Sequence, residues 1–246
     1  MTGVRVDATG LTRAAGATTL LRDVSLSVRP GELVAIAGGS GAGKTTLLEA
    51  LAGVAPADSG TVTFGGVDVY REPAAFRTQL GYVPQDDIIH AELPLARTLT
   101  YAAMLRLPRG TPRADIDAAV AAALARLGLT ERAGVRVDAL SGGQRKRASI
   151  AVELLTGPRV FFLDEPTSGL DPATGAELVA LLRDLADSGT TVVFTTHATA
   201  DLAACDRVVF LAGGGRLAYA GTLPGALAHF GVDGVEGVYR RLDQIG

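Results

Sequence analysis

Two hydrophobic periodicities run along this chain. Val4-Arg5-Val6-Asp7-Ala8 and Val24-Ser25-Leu26-Ser27-Val28 alternate apolar with polar, the pattern of strands with one face in water. They predict a small antiparallel sheet near the start of the chain. Leu33–Ala37, Val160–Leu163 and Thr190–Phe194 are nearly unbroken apolar runs, as expected of strands covered on both faces. Thr61–Phe64 reads as a strand that Gly65-Gly66 can turn back as a hairpin, and Leu80–Val83, Arg207–Leu211 and Arg216–Ala220 as further short strands. Helical spacing occupies Thr46–Ala52, Thr98–Leu107, Ala114–Leu127, Gly142–Leu155, Pro172–Ala186, Leu223–Phe230 and Val235–Leu242. Pro108 to Pro112 separates the second and third of these. Residues from about 87 to 157 therefore read as a helical block inserted into a single α/β domain spanning 1–246. Strands alternating with helices give a mainly parallel sheet, which receives ligands at its strand C-terminal ends.

Composition narrows the class. The chain has 246 residues, 48% apolar and 20% charged, which supports a substantial core. A formal net charge of −3 does not suit a nucleic-acid-binding surface, so no such partner is expected. The single cysteine, Cys205, excludes an internal disulfide framework and suits a reducing compartment. No apolar run reaches the ~18 residues of a membrane helix, and Met1–Arg13 lacks the apolar centre of a signal peptide. The expectation is a chain soluble as given, which meets a membrane only through a partner or through polypeptide not included here.

Candidate chemistry begins at Gly38-Gly39-Ser40-Gly41-Ala42-Gly43-Lys44-Thr45-Thr46, which fits G-x-x-x-x-G-K-[ST]. An apolar strand precedes it and a helix follows, as a phosphate-binding loop requires. Glycines let the backbone curl until several N–H groups face one phosphate, and the helix N-terminus adds positive potential. Lys44 supplies a charge for the β- and γ-phosphates, and Thr45 a hydroxyl for Mg²⁺. Val160–Leu163 ends at Asp164-Glu165. An acid placed there can hold Mg²⁺, and the next one can orient or deprotonate an attacking water. Asp-Glu-Pro is also an ordinary turn composition; the upstream loop favours the chemical reading. Leu140-Ser141-Gly142-Gly143-Gln144 opens a helix with Ser141 as N-cap. It is either a simple capped start or a second anion-binding helix start with glycines that admit a close neighbour.

These segments resemble, in order, the motifs of an ABC-transporter nucleotide-binding domain. Gly38–Thr45 looks like the Walker A loop, Gln85 the Q-loop, Leu140–Gln144 the signature, Val160–Glu165 Walker B, Ser168–Asp171 the D-loop and His197 the switch histidine. The resemblance covers nearly the whole chain. Gly81–His90, Tyr101–Pro108 and Arg145–Leu155 are similar to the G (White-type) subfamily, whose members usually carry this domain before a membrane domain on one polypeptide; some bacterial relatives also carry forkhead-associated domains. The resemblance implies a RecA-like P-loop core, an N-terminal antiparallel β subdomain and an inserted α-helical subdomain. It implies ATP hydrolysis with Mg²⁺ in a head-to-tail dimer, each ATP lying between one P-loop and Ser141–Gln144 of the other subunit. Lys44 and the loop amides would hold phosphate, and Thr45, Gln85 and Asp164 the Mg²⁺. Glu165 would be the general base, His197 would contact the γ-phosphate, and Asp171 would act across the interface besides capping its own helix. The implied partners are a second nucleotide-binding domain and a transmembrane domain, on the same or another chain. The implied place is the cytoplasmic face of a membrane, and the implied work is transport, of the export kind.

Two positions depart from that pattern. Many members stack an aromatic ring on adenine from the segment that is Leu11–Gly16 here, which has no aromatic; an Arg13 guanidinium lying over the base is the expected substitute. Many also have an acid beside Thr98, where Arg97 stands, so a differently charged partner surface is expected. Soluble ABC ATPases of DNA maintenance or translation are the rival reading, but they usually carry a coiled-coil insertion or two such domains. A non-hydrolysing ATP-gated module is disfavoured by Glu165 and His197.

Overall fold

The computed structural model describes residues 3–76, 78–86 and 89–245. The first half of the chain contributes β1 (Val6–Ala15), β2 (Thr18–Val28), β3 (Leu33–Gly38), α1 (Lys44–Ala52), β4 (Ser59–Phe64), β5 (Val67–Asp68), α2 (Pro73–Phe76) and β6 (Leu80–Val83). Helices α3 (Leu95–Arg106), α4 (Arg113–Arg126) and α5 (Gly142–Leu154) come next. The chain closes with β7 (Val160–Leu163), α6 (Pro172–Asp187), β8 (Thr191–Thr196), β9 (Arg207–Ala212), β10 (Arg216–Gly221), α7 (Leu223–Phe230) and α8 (Val235–Ile245).

All ten strands join one sheet in the order β5-β4-β1-β2-β10-β9-β3-β8-β7-β6. The strands from β9 to β6 are parallel, and β4, β1 and β2 pair antiparallel. The predicted antiparallel sheet is present, and a parallel bridge between Arg216 and Arg22 joins its β2 to β10. Strand β1 also continues well beyond Ala8. Its register shifts between Ala8 and Leu11, where Gly10 takes φ 63°. The bulge resets the alternation, which is why the sequence pattern stops short of the strand's end.

Side-chain alternation divides the parallel strands between two cores. Leu33, Ala35, Ala37, Phe161 and Leu163 face the layer of α3 to α6, while Val34, Ile36, Val160 and Phe162 face α1 and the antiparallel strands. Phe161, Phe162, Phe194 and Phe210 are fully buried, each contributing roughly 1.5–3 kcal/mol relative to exposure. Helix α2, which no periodicity announces, buries Phe76 edge-on against Phe64, with ring centroids 5.1 Å apart.

Helix α5 packs on α3, α4, α6 and β6. Arg106 of α3 pairs with Glu153 of α5 at 2.5 Å, and the other Glu153 oxygen accepts the Tyr82 N–H at 3.3 Å. The helical layer is thereby fastened to the strand that leads into Gln85. The expected start of this block, residue 87, lies outside the described residues.

Candidate functional site

Strand β3 delivers the loop Gly38–Gly43 to the C-terminal edge of the parallel strands, and α1 leaves from it. Gly43, at φ 94°, is the residue before α1, and no side chain caps the helix. The first-turn amides are therefore left for an incoming acceptor. Glycine at position 43 is dictated by packing too: a Cβ would lie 2.5 Å from the Leu20 carbonyl oxygen. That contact also sets the β1–β2 hairpin beside the loop. The Lys44 ammonium is buried and donates to the carbonyl oxygens of Gly38 and Gly39, both at 3.1 Å. Among the described residues it has no acidic partner.

Asp164 stands immediately beyond β7, 3% exposed. Its Oδ1 accepts the Thr195 hydroxyl at 2.5 Å and the Thr45 hydroxyl at 3.2 Å. No ion pair reaches this carboxylate among the described residues, an arrangement that favours a cation. Nor, among the described residues, does any cluster of three or more His, Cys, Asp or Glu stand ready to hold a metal. One carboxylate among neutral oxygens fits Mg²⁺, which binds through few protein ligands and completes its shell with water and phosphate oxygens. Glu165 follows with φ 43°, a left-handed conformation that costs a non-glycine residue on the order of 1 kcal/mol or more. Its N–H is held by the Thr195 hydroxyl at 2.8 Å. Its Oε2 lies 3.3 Å from Nδ1 of His197, whose ring is largely exposed. Thr45, Asp164, Glu165 and His197 are thus linked through Thr195 around one strand edge, beside the loop that holds Lys44. Thr195, which sequence reading passed over, is the hub; its only signal is a hydroxyl closing an apolar strand.

Gln85 lies two residues beyond Val83, which pairs with Leu163. Its side chain is exposed, and its carbonyl accepts from the Lys146 ammonium. No hydrogen bond among the described residues joins it to Thr45 or Asp164. Ser141 and Gln144 form a reciprocal capping box at the start of α5, but no hydrogen bond joins Ser141–Gln144 to Gly38–Thr46. Gly143 is needed by the chain's own packing, since a Cβ there would meet Thr174 of α6 at 2.4 Å; exposed Gly142 is open to an outside partner. Asp171 caps α6, accepting from the amides of Ala173 and Thr174 at 3.1 and 3.0 Å. Bonding to Thr174 holds its carboxyl below the usual range. A cleft of about 900 Å³ runs from Thr167–Asp171 along α6 to His197–Ala204.

Arg13 is not available as a base platform. It donates to the Ala55 carbonyl at 2.8 Å and lies 3.7 Å from Glu49 of α1. Strand β1 aims it at the far end of α1 because it sits inside the strand, not in a loop. The hairpin tip, Ala15 to Thr18, carries no ring.

Residues 21–168 match the family model of ABC transporters. The chain belongs to the ABC transporter family. This ABC domain is 50% identical over 206 residues to an ABC transporter ATP-binding/permease protein of Mycobacterium tuberculosis, covering 84% of this chain and 24% of that one. It is 45% identical over 186 residues to ABC transporter G family member 21 of Arabidopsis thaliana, covering 72% of this chain and 27% of the relative. It thus spans about a quarter of the length of these curated relatives. Among solved structures it is similar to an ATP-binding subunit of an ABC transporter, with TM-score 0.81, 28% identity, and coverage of 96% and 98%. It is also similar to cbiO1 of Clostridium perfringens, part of the transporter complex cbiONQ, with TM-score 0.83, 27% identity, and coverage of 97% and 94%. The ABC domain is a P-loop ATPase, and ATP is its ligand.

Proposed function

We propose that this domain hydrolyses ATP with Mg²⁺ as one half of a head-to-tail dimer and so drives export through a membrane partner. The observation that carries the reading is the set Thr45, Asp164, Glu165 and His197, joined through Thr195 at the end of the parallel strands beside the loop that holds Lys44. The loop amides of Gly38–Thr46 and the Lys44 ammonium bind the β- and γ-phosphates; on nucleotide entry Lys44 exchanges its two carbonyls for phosphate oxygens. Thr45, Gln85 and Asp164 are the oxygen donors for Mg²⁺, which when bound neutralises phosphate charge. Glu165 takes a proton from water as the water oxygen bonds to the γ-phosphorus. The bond to the bridging oxygen breaks, leaving ADP and phosphate. His197 holds Glu165 in place and contacts the γ-phosphate. Ser141–Gln144 of a second copy closes the site, and Asp171 lies across that interface.

No helix of the described residues is long and apolar enough to cross a membrane. Transport in this reading needs a transmembrane domain, with the ABC domain on its cytoplasmic face. The face of α3 that presents Arg97, Tyr101, Met104 and Leu105 supports this, since Leu105 is 87% exposed and Met104 56%. The reading is tested with Glu165→Gln. The variant is expected to bind ATP, to lose about 10²–10⁴-fold in turnover, and to elute as an ATP-locked dimer. Near-normal phosphate release would remove Glu165 from its role, and a variant monomeric in saturating ATP would remove the dimer.

A further inference from the structure

One buried carboxylate takes no part in the chemistry just described. Asp201 lies in the short helical turn Thr199–Ala204 after His197 and is 7% exposed. It forms no ion pair among the described residues. Its side chain does not cap its own turn. Instead one oxygen, Oδ2, accepts two hydroxyls, from Thr167 at 2.8 Å and Thr196 at 2.6 Å. Thr167 opens the segment Ser168–Asp171. Thr196 ends β8, and its hydroxyl oxygen also accepts the Ala198 N–H at 2.9 Å, which shapes the turn carrying His197.

The pairing of β7 with β8 ends at Leu163 and Phe194. Past that point the two chains part, one toward Asp171 and the other toward His197. Thr195 bridges them at the near side through Asp164 and Glu165, and Asp201 bridges them farther out. A buried charge is a costly way to tie two loops. Its return is bond strength, because hydrogen bonds to a carboxylate are roughly twice as strong as neutral ones. Stiffness is useful here if the two loops must move together.

We propose that Asp201 is a positioning residue that couples the Ser168–Asp171 segment to His197. Seating of a second copy against Ser168–Asp171 is passed through Thr167, Asp201 and Thr196 to the histidine beside Glu165. This rests on the dimeric ATPase reading above. Asp201 touches neither Lys44 nor the loop amides, so it governs turnover and not nucleotide affinity.

The test measures steady-state ATP hydrolysis by Asp201→Asn, Asp201→Ala and Thr167→Val, with ATP affinity by titration calorimetry and folding by thermal unfolding. Each variant is expected to lose about tenfold or more in kcat, a coupling of ordinary size, with KM and Kd for ATP within about threefold of wild type. Asp201→Asn/Thr167→Val should be no slower than the worse single variant, because both break one connection. Should Asp201→Ala fail to fold, the nearly isosteric Asp201→Asn and Thr167→Val carry the test. Unchanged kcat, a parallel rise in KM and Kd, or multiplicative losses in the double variant each overturn the proposal. A wild-type chain that hydrolyses no ATP overturns the ATPase reading itself, whereas full turnover in the Asp201 variants removes only this coupling.

Discussion

At the scale of single residues, the site is built by hydroxyls. Thr195 donates to Asp164 and accepts from the Glu165 amide, so one side chain both orients the buried Asp164 carboxylate and secures a strained backbone. Thr195→Val keeps the shape and removes both bonds. It leaves the Glu165 N–H and an Asp164 oxygen without that partner, a loss of about 1–3 kcal/mol for each buried group. The expected result is lower thermal stability together with reduced kcat, measured by calorimetry and by phosphate release. A variant that loses stability and keeps full turnover would mean that Glu165 finds its geometry without Thr195. Residues of this kind are hard to read from sequence. Lys44, Asp164 and Glu165 are legible because a loop pattern and a strand end frame them. Thr195 meets Glu165, and Asp201 meets Thr167, across 30 or more residues of sequence, contacts that no local pattern announces.

At the scale of elements, β3, α1, β7 and α6 are legible because each has one periodicity and a clear boundary. The hairpin of β1 and β2 was legible only in part. A bulge at Gly10 interrupts its alternation, so the segment Leu11–Ala15 has no periodic signal even though Leu11 is fully buried. The difference bears on base recognition. As a loop residue Arg13 would be free to cover a base; as a strand residue it is tied to Ala55 and lies near Glu49. Phosphate and Mg²⁺ contacts are common to all nucleoside triphosphates, so little discrimination between ATP and GTP is expected from this hairpin. Titration calorimetry should give affinities within about 100-fold, equivalent to ~2.7 kcal/mol. Ala15→Tyr offers a ring at the hairpin tip, and stacking of ~1–3 kcal/mol should tighten ATP binding by about fivefold or more. A stronger wild-type preference for ATP would mean that another group reads adenine.

At the scale of the whole molecule, the central parallel strands β3, β7 and β8 are covered on both faces, and burial extends to ionisable groups outside the proposed chemistry. Burial pushes the Cys205 thiol from 9.0 up to about 12, helped by the nearby Asp201 and Asp206 carboxylates. Burial likewise pushes the Tyr82 hydroxyl from 10.0 up to about 12, with Asp164 and Glu49 adding to it. Burial also raises Tyr70 and Tyr239. Each of these groups keeps its proton to higher pH in the folded chain than in the unfolded one. The unfolded state therefore binds fewer protons above about pH 9, and stability falls as pH rises. The contribution is complete below the unfolded values of 9.0 and 10.0 and is lost as pH climbs toward about 12. Denaturant titrations at steps from about pH 8 to 11.5 should show a plateau and then a decline that steepens beyond about pH 9. Tyr82→Phe removes a titrating hydroxyl and keeps the ring, so its decline should be shallower than that of wild type, and Tyr82→Phe/Cys205→Ala shallower still, whatever their stability at pH 8. Parallel declines in all three proteins would place the alkaline loss elsewhere, and burial of Tyr82 and Cys205 would then not be its cause.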